Sequence, residues 1–175
     1  MSKLPTVAII GQANVGKSSL FNRLTRSRTA IVAREAGTTR DNVVGKVSYK
    51  RRNVDSTPSD DYSQFWLIDT AGLKTAEDKF EATIQDQIAD ASAAADVILV
   101  TVDSTAYPSD ADRQLAKKAL KSGKPVILIA NKADLKGSLS IDEFKRLGIK
   151  NIIKTSAEHS IGISELLDSI AELIP

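Results

Sequence analysis

The chain has 175 residues, 42% of them hydrophobic and 26% charged, with a net charge of +2. That suffices for one domain with a substantial core, and so balanced a charge does not by itself argue for a nucleic-acid partner. There is no cysteine, which excludes disulfides and thiolate chemistry and suits a reducing cytosol. The start, Met1-Ser2-Lys3-Leu4-Pro5, lacks the apolar core of a signal peptide, and no apolar run approaches a membrane span. The expectation is a cytoplasmic protein with no membrane contact, and no internal repeat is visible.

Val7-Ala8-Ile9-Ile10 reads as a buried parallel strand. Gly11-Gln12-Ala13-Asn14-Val15-Gly16-Lys17-Ser18 follows and matches G-x-x-x-x-G-K-S/T, the phosphate-binding P-loop. Ser18 to Leu24 then reads as a helix with Leu20, Phe21 and Leu24 on one face. Strand, glycine loop and helix start suit a phosphate. The glycines let backbone N–H groups close around it, and the helix N-terminus adds partial positive charge. Asn14, Val15, Gly16, Lys17, Ser18 and Ser19 form the expected cradle. Lys17 is assigned to the β- and γ-phosphates and the Ser18 hydroxyl to Mg²⁺.

Thr25 to Arg40 has weak periodicity and reads as mostly loop, ending in Gly37-Thr38-Thr39-Arg40-Asp41. Thr39 could bring a second hydroxyl to Mg²⁺. Asn42 to Tyr49 and Phe65 to Ile68 read as paired strands. Between them, Lys50 to Ser63 is polar and reads as an exposed hairpin loop, its Lys50-Arg51-Arg52 cluster a solvated one. The second strand ends in Asp69-Thr70-Ala71-Gly72, a D-x-x-G sequence. There Asp69 would hold Mg²⁺ through water, and the Gly72 N–H would contact the γ-phosphate.

Phe80, Ile84, Ile88 and Ala91 fall on one helical stripe, and Val97 to Val102 is a buried strand ending at Asp103. Asp110 to Ser122 reads as a helix stopped by Gly123. Val126 to Ala130 is another buried strand, ending in Asn131-Lys132-Ala133-Asp134. The Asp134 carboxylate can accept from both N1–H and the exocyclic amine of guanine, a donor pair that adenine lacks. Asn131 would brace the loop, and the Lys132 stem could lie along the base. A final strand, Asn151 to Lys154, leads to Thr155-Ser156-Ala157, where a backbone N–H near Ser156 and Ala157 could donate to guanine O6. His159 has no second His or Cys for a metal and reads as an ordinary loop residue. Ser164 leads a last helix with Leu166, Leu167, Ile170 and Ile174 apolar.

The ordered set GQANVGKS, GTTRD, DTAG, NKAD and TSA resembles translation-factor-related GTPases. SLFNRLTRSRTAIVA, DTAGLKTAEDKFE and TSAEHSIGISELL narrow the resemblance to the first GTP-binding domain of the bacterial ribosome-assembly GTPases of the Der (EngA) family. That family more often has Arg-Pro at Gln12-Ala13 and Pro-Gly-Val/Leu-Thr at Ala36-Gly37-Thr38-Thr39. The second segment also resembles the tRNA-modifying GTPase MnmE, and the ferrous-iron transporter's cytosolic GTP-binding domain is a further alternative.

The resemblance implies a three-layer α/β/α P-loop GTPase fold with a six-stranded, mostly parallel sheet and one antiparallel edge pair. Residues 1–175 would form one GTP-binding domain, the N-terminal one of a longer protein. It implies GTP hydrolysis to GDP and phosphate with Mg²⁺, and a link to the large ribosomal subunit through the parent protein. Leu73 stands where many GTPases place a water-orienting glutamine. Related GTPases instead use a potassium ion held partly by a P-loop asparagine, here Asn14. In MnmE a glutamate twelve residues past the DTAG aspartate helps orient the water, and counting from Asp69 reaches Glu81. Lys17, Thr39, Gly72 and Glu81 are thus the expected catalytic set.

Overall fold

Strands that are apolar at every position need cover on both faces. Val7 to Ile10, Val97 to Val100 and Ile127 to Ala130 are such runs, and each of these residues is at most 1% exposed. In the computed structural model of the chain they form the centre of one sheet. The structure describes residues 4–12, 15–25, 31–34, 41–52, 58–69, 89, 91 and 93–175; at 31–34, 41–43, 50–52 and 58–62 only the backbone is described.

The strands are β1 (Thr6–Gly11), β2 (Ile31–Arg34), β3 (Asp41–Arg52), β4 (Pro58–Asp69), β5 (Val97–Asp103), β6 (Val126–Asn131) and β7 (Ile152–Lys154). Among the described residues, the helices of defined extent are α1 (Lys17–Thr25), α2 (Asp110–Lys121) and α3 (Ile163–Leu173), with a 3₁₀ helix at Ile141–Leu147. The seven strands lie in the order β2-β3-β4-β1-β5-β6-β7. β4, β1, β5, β6 and β7 pair in parallel, whereas β2–β3 and β3–β4 are antiparallel.

Alternate residues of one strand feed opposite cores, which produces the three layers. Val7 and Ile9 pack with Leu20, Phe21 and Leu24 of α1 and Ile163, Leu166 and Ile170 of α3. Ala8 and Ile10 pack on the other side with Leu115, Ala116 and Ala119 of α2 and with Phe144 of the 3₁₀ helix. Ala91 is fully buried in this second core, and the Ala95 N–H donates to its carbonyl at 2.8 Å, closing a helical turn. The rest of the expected stripe, Phe80, Ile84 and Ile88, lies outside the described residues.

The six expected strands are all present, and β2 adds an edge strand within the segment read as loop. Its four residues pair as backbone with Asp41 to Val44, a ladder that periodicity over so short a run does not announce. The expected hairpin loop from Lys50 to Ser63 is also shorter than read. β3 runs on to Arg52 and β4 starts at Pro58, with Lys50 opposite Tyr62 and a register shift between Lys50 and Arg52. Backbone hydrogen bonds hold such an arm whatever the polarity of its side chains, so polar composition hid it.

Five strand ends gather at one edge: Gly11 of β1, Asp69 of β4, Asp103 of β5, Asn131 of β6 and Lys154 of β7. Asp103 lies directly opposite Asn131 in the ladder. This is the carboxyl edge, where open parallel sheets bind ligands. Leu166 is fully buried between α3 and the sheet. Leu166→Ala should therefore lower unfolding free energy by about 2–5 kcal/mol. Urea titration checks this, and a loss under about 1 kcal/mol would mean that α3 is not packed as described.

Candidate functional site

The loop from Gly11 into α1 depends on one glycine. Gly16 has φ 90°, a left-handed conformation that side-chain-bearing residues rarely adopt. A Cβ there would lie 2.4 Å from Asn131 Nδ2. The Gly16 carbonyl accepts from Leu20 N–H at 2.9 Å, so α1 begins at the loop. Lys17, the first residue of α1, is 8% exposed, and its Nζ donates to the Gly11 carbonyl at 2.6 Å. Its ammonium therefore lies across the loop. Ser18 is half-buried and Ser19 exposed. Asp69, at the end of β4, is 1% exposed and belongs to a strand in register with β1.

Gln12 ties the loop to α2. Its Nε2 donates to Ser109 Oγ at 2.6 Å and to Asp112 Oδ1 at 2.7 Å. Those two residues form the capping box of α2, with the Asp112 N–H donating to Ser109 Oγ and the Ser109 N–H to Asp112 Oδ2.

Asn131 joins the loop to the second half of the site. It is 2% exposed; its Nδ2 donates to the Val15 carbonyl at 3.0 Å, and its Oδ1 accepts from the Thr155 hydroxyl at 2.9 Å. The neighbouring turn is held by backbone: Ala133 N–H donates to Thr155 O, and Thr155 N–H to Ala130 O, both at 2.9 Å. Lys132 takes φ 63°, and its Nζ lies 3.3 Å from Asp103 Oδ2.

Burial pushes the Asp103 carboxyl up, but the hydroxyl and N–H of Thr105 and the Lys132 ammonium outweigh it and hold it below the ordinary carboxylate value. A depressed folded-state value means that Asp103's contribution is complete above the ordinary carboxylate range. It is lost only as pH falls through the folded value. The Asp103–Lys132 contact is therefore retained at neutral pH.

Asp134 follows. Its side chain is only 16% exposed although the residue as a whole lies at the surface. In the loop after β7, Ser156 and Ala157 are buried, and Ser156 exchanges both backbone hydrogen bonds with Ile161 in an isolated bridge. Gly162, with φ 72°, turns this loop into α3, where a Cβ would lie 2.0 Å from the Lys154 carbonyl. From α1, Arg23 reaches the same loop. Its Nε donates to Ala157 O at 2.6 Å and an Nη to Glu158 O at 3.0 Å.

The fold thus brings Val15, Gly16, Lys17, Ser18, Asp69, Asn131, Lys132, Asp134, Ser156 and Ala157 to one edge of the sheet. Asn14, Thr39, Gly72 and Glu81 lie outside the described residues. Gln12, Arg23 and Thr155 were missed as positioning residues. Only Thr155 had a signal, its place in the TSA sequence; nothing in the chain says that the other two reach across elements. His159 lies in the exposed turn after Ala157, and its Nε2 is 3.2 Å from Asp134 Oδ2.

Asn131→Ala would leave two buried partners unpaired, the Val15 carbonyl and the Thr155 hydroxyl. Each unsatisfied buried group costs about 1–3 kcal/mol. The ligand-free variant should lose about 2–5 kcal/mol in chemical denaturation; wild-type stability would contradict the bridge.

The chain is 42% identical to a GTPase Der of Porphyromonas gingivalis over 97% of its own length and 37% of that protein's. It thus spans a little over a third of that relative. Among solved structures it is similar to the G domain of the T. maritima FeoB iron transporter, with TM-score 0.70, 27% identity and coverage of 98% and 99% of the two chains. It is equally similar, at TM-score 0.70 and 29% identity, to an Aquifex aeolicus Era variant bound to GDP·AlF4⁻, covering 99% of this chain and 58% of that one. No helix among the described residues is long and apolar enough to cross a membrane. The family described as 50S ribosome-binding GTPase matches residues 6–132, and with that match and the 42% identity to Der the chain belongs to this GTPase family.

Proposed function

We propose that the chain is the guanine-nucleotide switch domain of a Der-type GTPase acting in assembly of the large ribosomal subunit. The observation that carries the nucleotide reading is the Asn131 bridge, which sets a phosphate-type loop and a base-type loop at one sheet edge. Lys17 and the N–H groups of Val15, Gly16, Lys17, Ser18 and Ser19 would hold the β- and γ-phosphates. Asp134 would accept from guanine N1–H and its 2-amine, with the Ser156–Ala157 backbone at O6 and the Lys132 stem along the base. Identity to the Der relative is 42%, against 27% to the FeoB G domain, which favours Der over the transporter at equal fold.

The hydroxyl of Ser18 and the buried carboxylate of Asp69 are hard oxygen donors, as Mg²⁺ requires, and Thr39 would add a third. When bound, Mg²⁺ neutralises charge on the β- and γ-phosphate oxygens. Lys17 shares that task, and the Gly72 N–H would report the γ-phosphate. The reaction is attack of water on the γ-phosphate, releasing GDP and phosphate. That the Era relative is bound to GDP·AlF4⁻ supports a guanine nucleotide at this site.

Leu73 cannot orient water. By the resemblance to GTPases that use a P-loop asparagine and a downstream glutamate, Asn14 is assigned to a potassium ion beside the phosphates and Glu81 to indirect orientation of the water. An arginine finger is worth about 10³–10⁵ in rate, so potassium replacing one should have a large effect. Hydrolysis in KCl should exceed that in NaCl at equal ionic strength, and Asn14→Ala should abolish the difference; equal rates in both salts contradict the assignment. Glu81→Ala should slow turnover without weakening GTP binding.

Asp134→Asn should weaken GTP binding and admit xanthine nucleotides, whose C2 carbonyl accepts from the new amide. A site built around a donor pair rejects a ligand lacking it by about 10⁴-fold. Equal binding of ATP and GTP to the unmutated chain, measured by calorimetry, would overturn the guanine reading. With charge nearly balanced and 37% of the Der relative's length covered, this 175-residue chain should co-sediment only weakly with large ribosomal subunits. Tight, salt-sensitive co-sedimentation would contradict that and implicate Lys50-Arg51-Arg52.

A further inference from the structure

His159 is the sole histidine in the chain, and the fold delivers it to one carboxylate. Arg23 fixes the carbonyls of Ala157 and Glu158, and Ser156 Oγ accepts the His159 backbone N–H at 3.3 Å. The residue after it, Ser160, takes φ 56° to close the turn. The imidazole Nε2 then lies 3.2 Å from Asp134 Oδ2. The Glu158 carboxylate is also near: one ligand atom each from Asp134, Glu158 and His159 lies within 4.8 Å of the others. Two carboxylates so close repel, and His159 is the donor that lies with them.

We infer that His159 is a positioning residue for guanine recognition: it holds the Asp134 carboxylate so that both oxygens face the base. The inference rests on the reading of Asp134 as the base acceptor. A carboxylate offers about four lone-pair sites. Guanine takes two, one on each oxygen, and His159 takes a third on Oδ2, so the two partners are compatible. The ring is 61% exposed and contacts Asp134 through Oδ2, so the contact uses one oxygen of the carboxylate. Without His159, repulsion from Glu158 turns Asp134 and removes the bidentate fit. A single hydrogen bond survives such a turn better than a pair that needs both oxygens in plane.

That asymmetry gives a readout that loss of loop structure would not. GDP presents N1–H and the 2-amine, whereas IDP presents N1–H alone. Calorimetric titration of the 175-residue chain compares wild type, His159→Ala, His159→Gln and Asp134→Asn with both nucleotides. His159→Ala should weaken GDP by about three- to tenfold, the cost of ordering one free side chain on binding. It should weaken IDP by clearly less and leave the ligand-free unfolding midpoint unchanged. His159→Gln, whose amide nitrogen can reach the same carboxylate oxygen, should restore most of the GDP affinity. Equal loss for both nucleotides, no loss, or no rescue by glutamine would overturn the role of His159. Asp134→Asn separates the two claims: if it leaves GDP affinity intact, the base-site reading itself has failed.

Discussion

One buried amide holds the two halves of the site in register. Asn131 sits at the end of β6 and spends its side chain in both directions, donating to Val15 and accepting from Thr155. Both bonds are made where water cannot substitute, so losing either partner is costly. The same amide lies where a Cβ on Gly16 would fall. The glycine is therefore required twice, for its left-handed φ and for the space its neighbour occupies. A loop of this kind cannot drift relative to the base-type loop without breaking the bridge.

The rest of the architecture serves that edge. Two-sided apolar strands fix the sheet, and their alternation sends α1 and α3 to one face and α2 to the other. Two of the helices, α1 and α2, then clamp a loop of the site by polar contacts. α1 begins at Gly16 and reaches back through Arg23 to Ala157 and Glu158. α2 holds the loop through Gln12 and its own capping box. The Gln12 contact matters because the Der-type pattern more often has arginine there. Glutamine keeps a donor toward Ser109 and Asp112 without adding charge. This chain corresponds to 37% of the Der relative's length.

Much of this was legible in the sequence because its signals are local. A buried strand, a glycine loop and an amphipathic helix each announce themselves within ten residues, as Val7 to Leu24 does. NKAD and TSA were readable for the same reason. What escaped was set by partners far along the chain. Gln12 meets Asp112 at a separation of 100 residues, and Arg23 meets Ala157 at 134. His159 lacked a metal-type partner in sequence, and its carboxylate neighbour Asp134 lies 25 positions away on a different strand's loop. The hairpin arm to Arg52 and Pro58 was hidden differently: its ladder is made by backbone, which composition does not report.

The central claim is that the phosphate-type and base-type loops act as one unit when a guanine nucleotide binds. Amide hydrogen exchange with and without GDP tests it most directly. The account predicts that GDP slows exchange together at residues 15–18 and at 155–157, and that Asn131→Ala uncouples the two segments. Protection confined to one segment, or identical protection of both in Asn131→Ala, would contradict it.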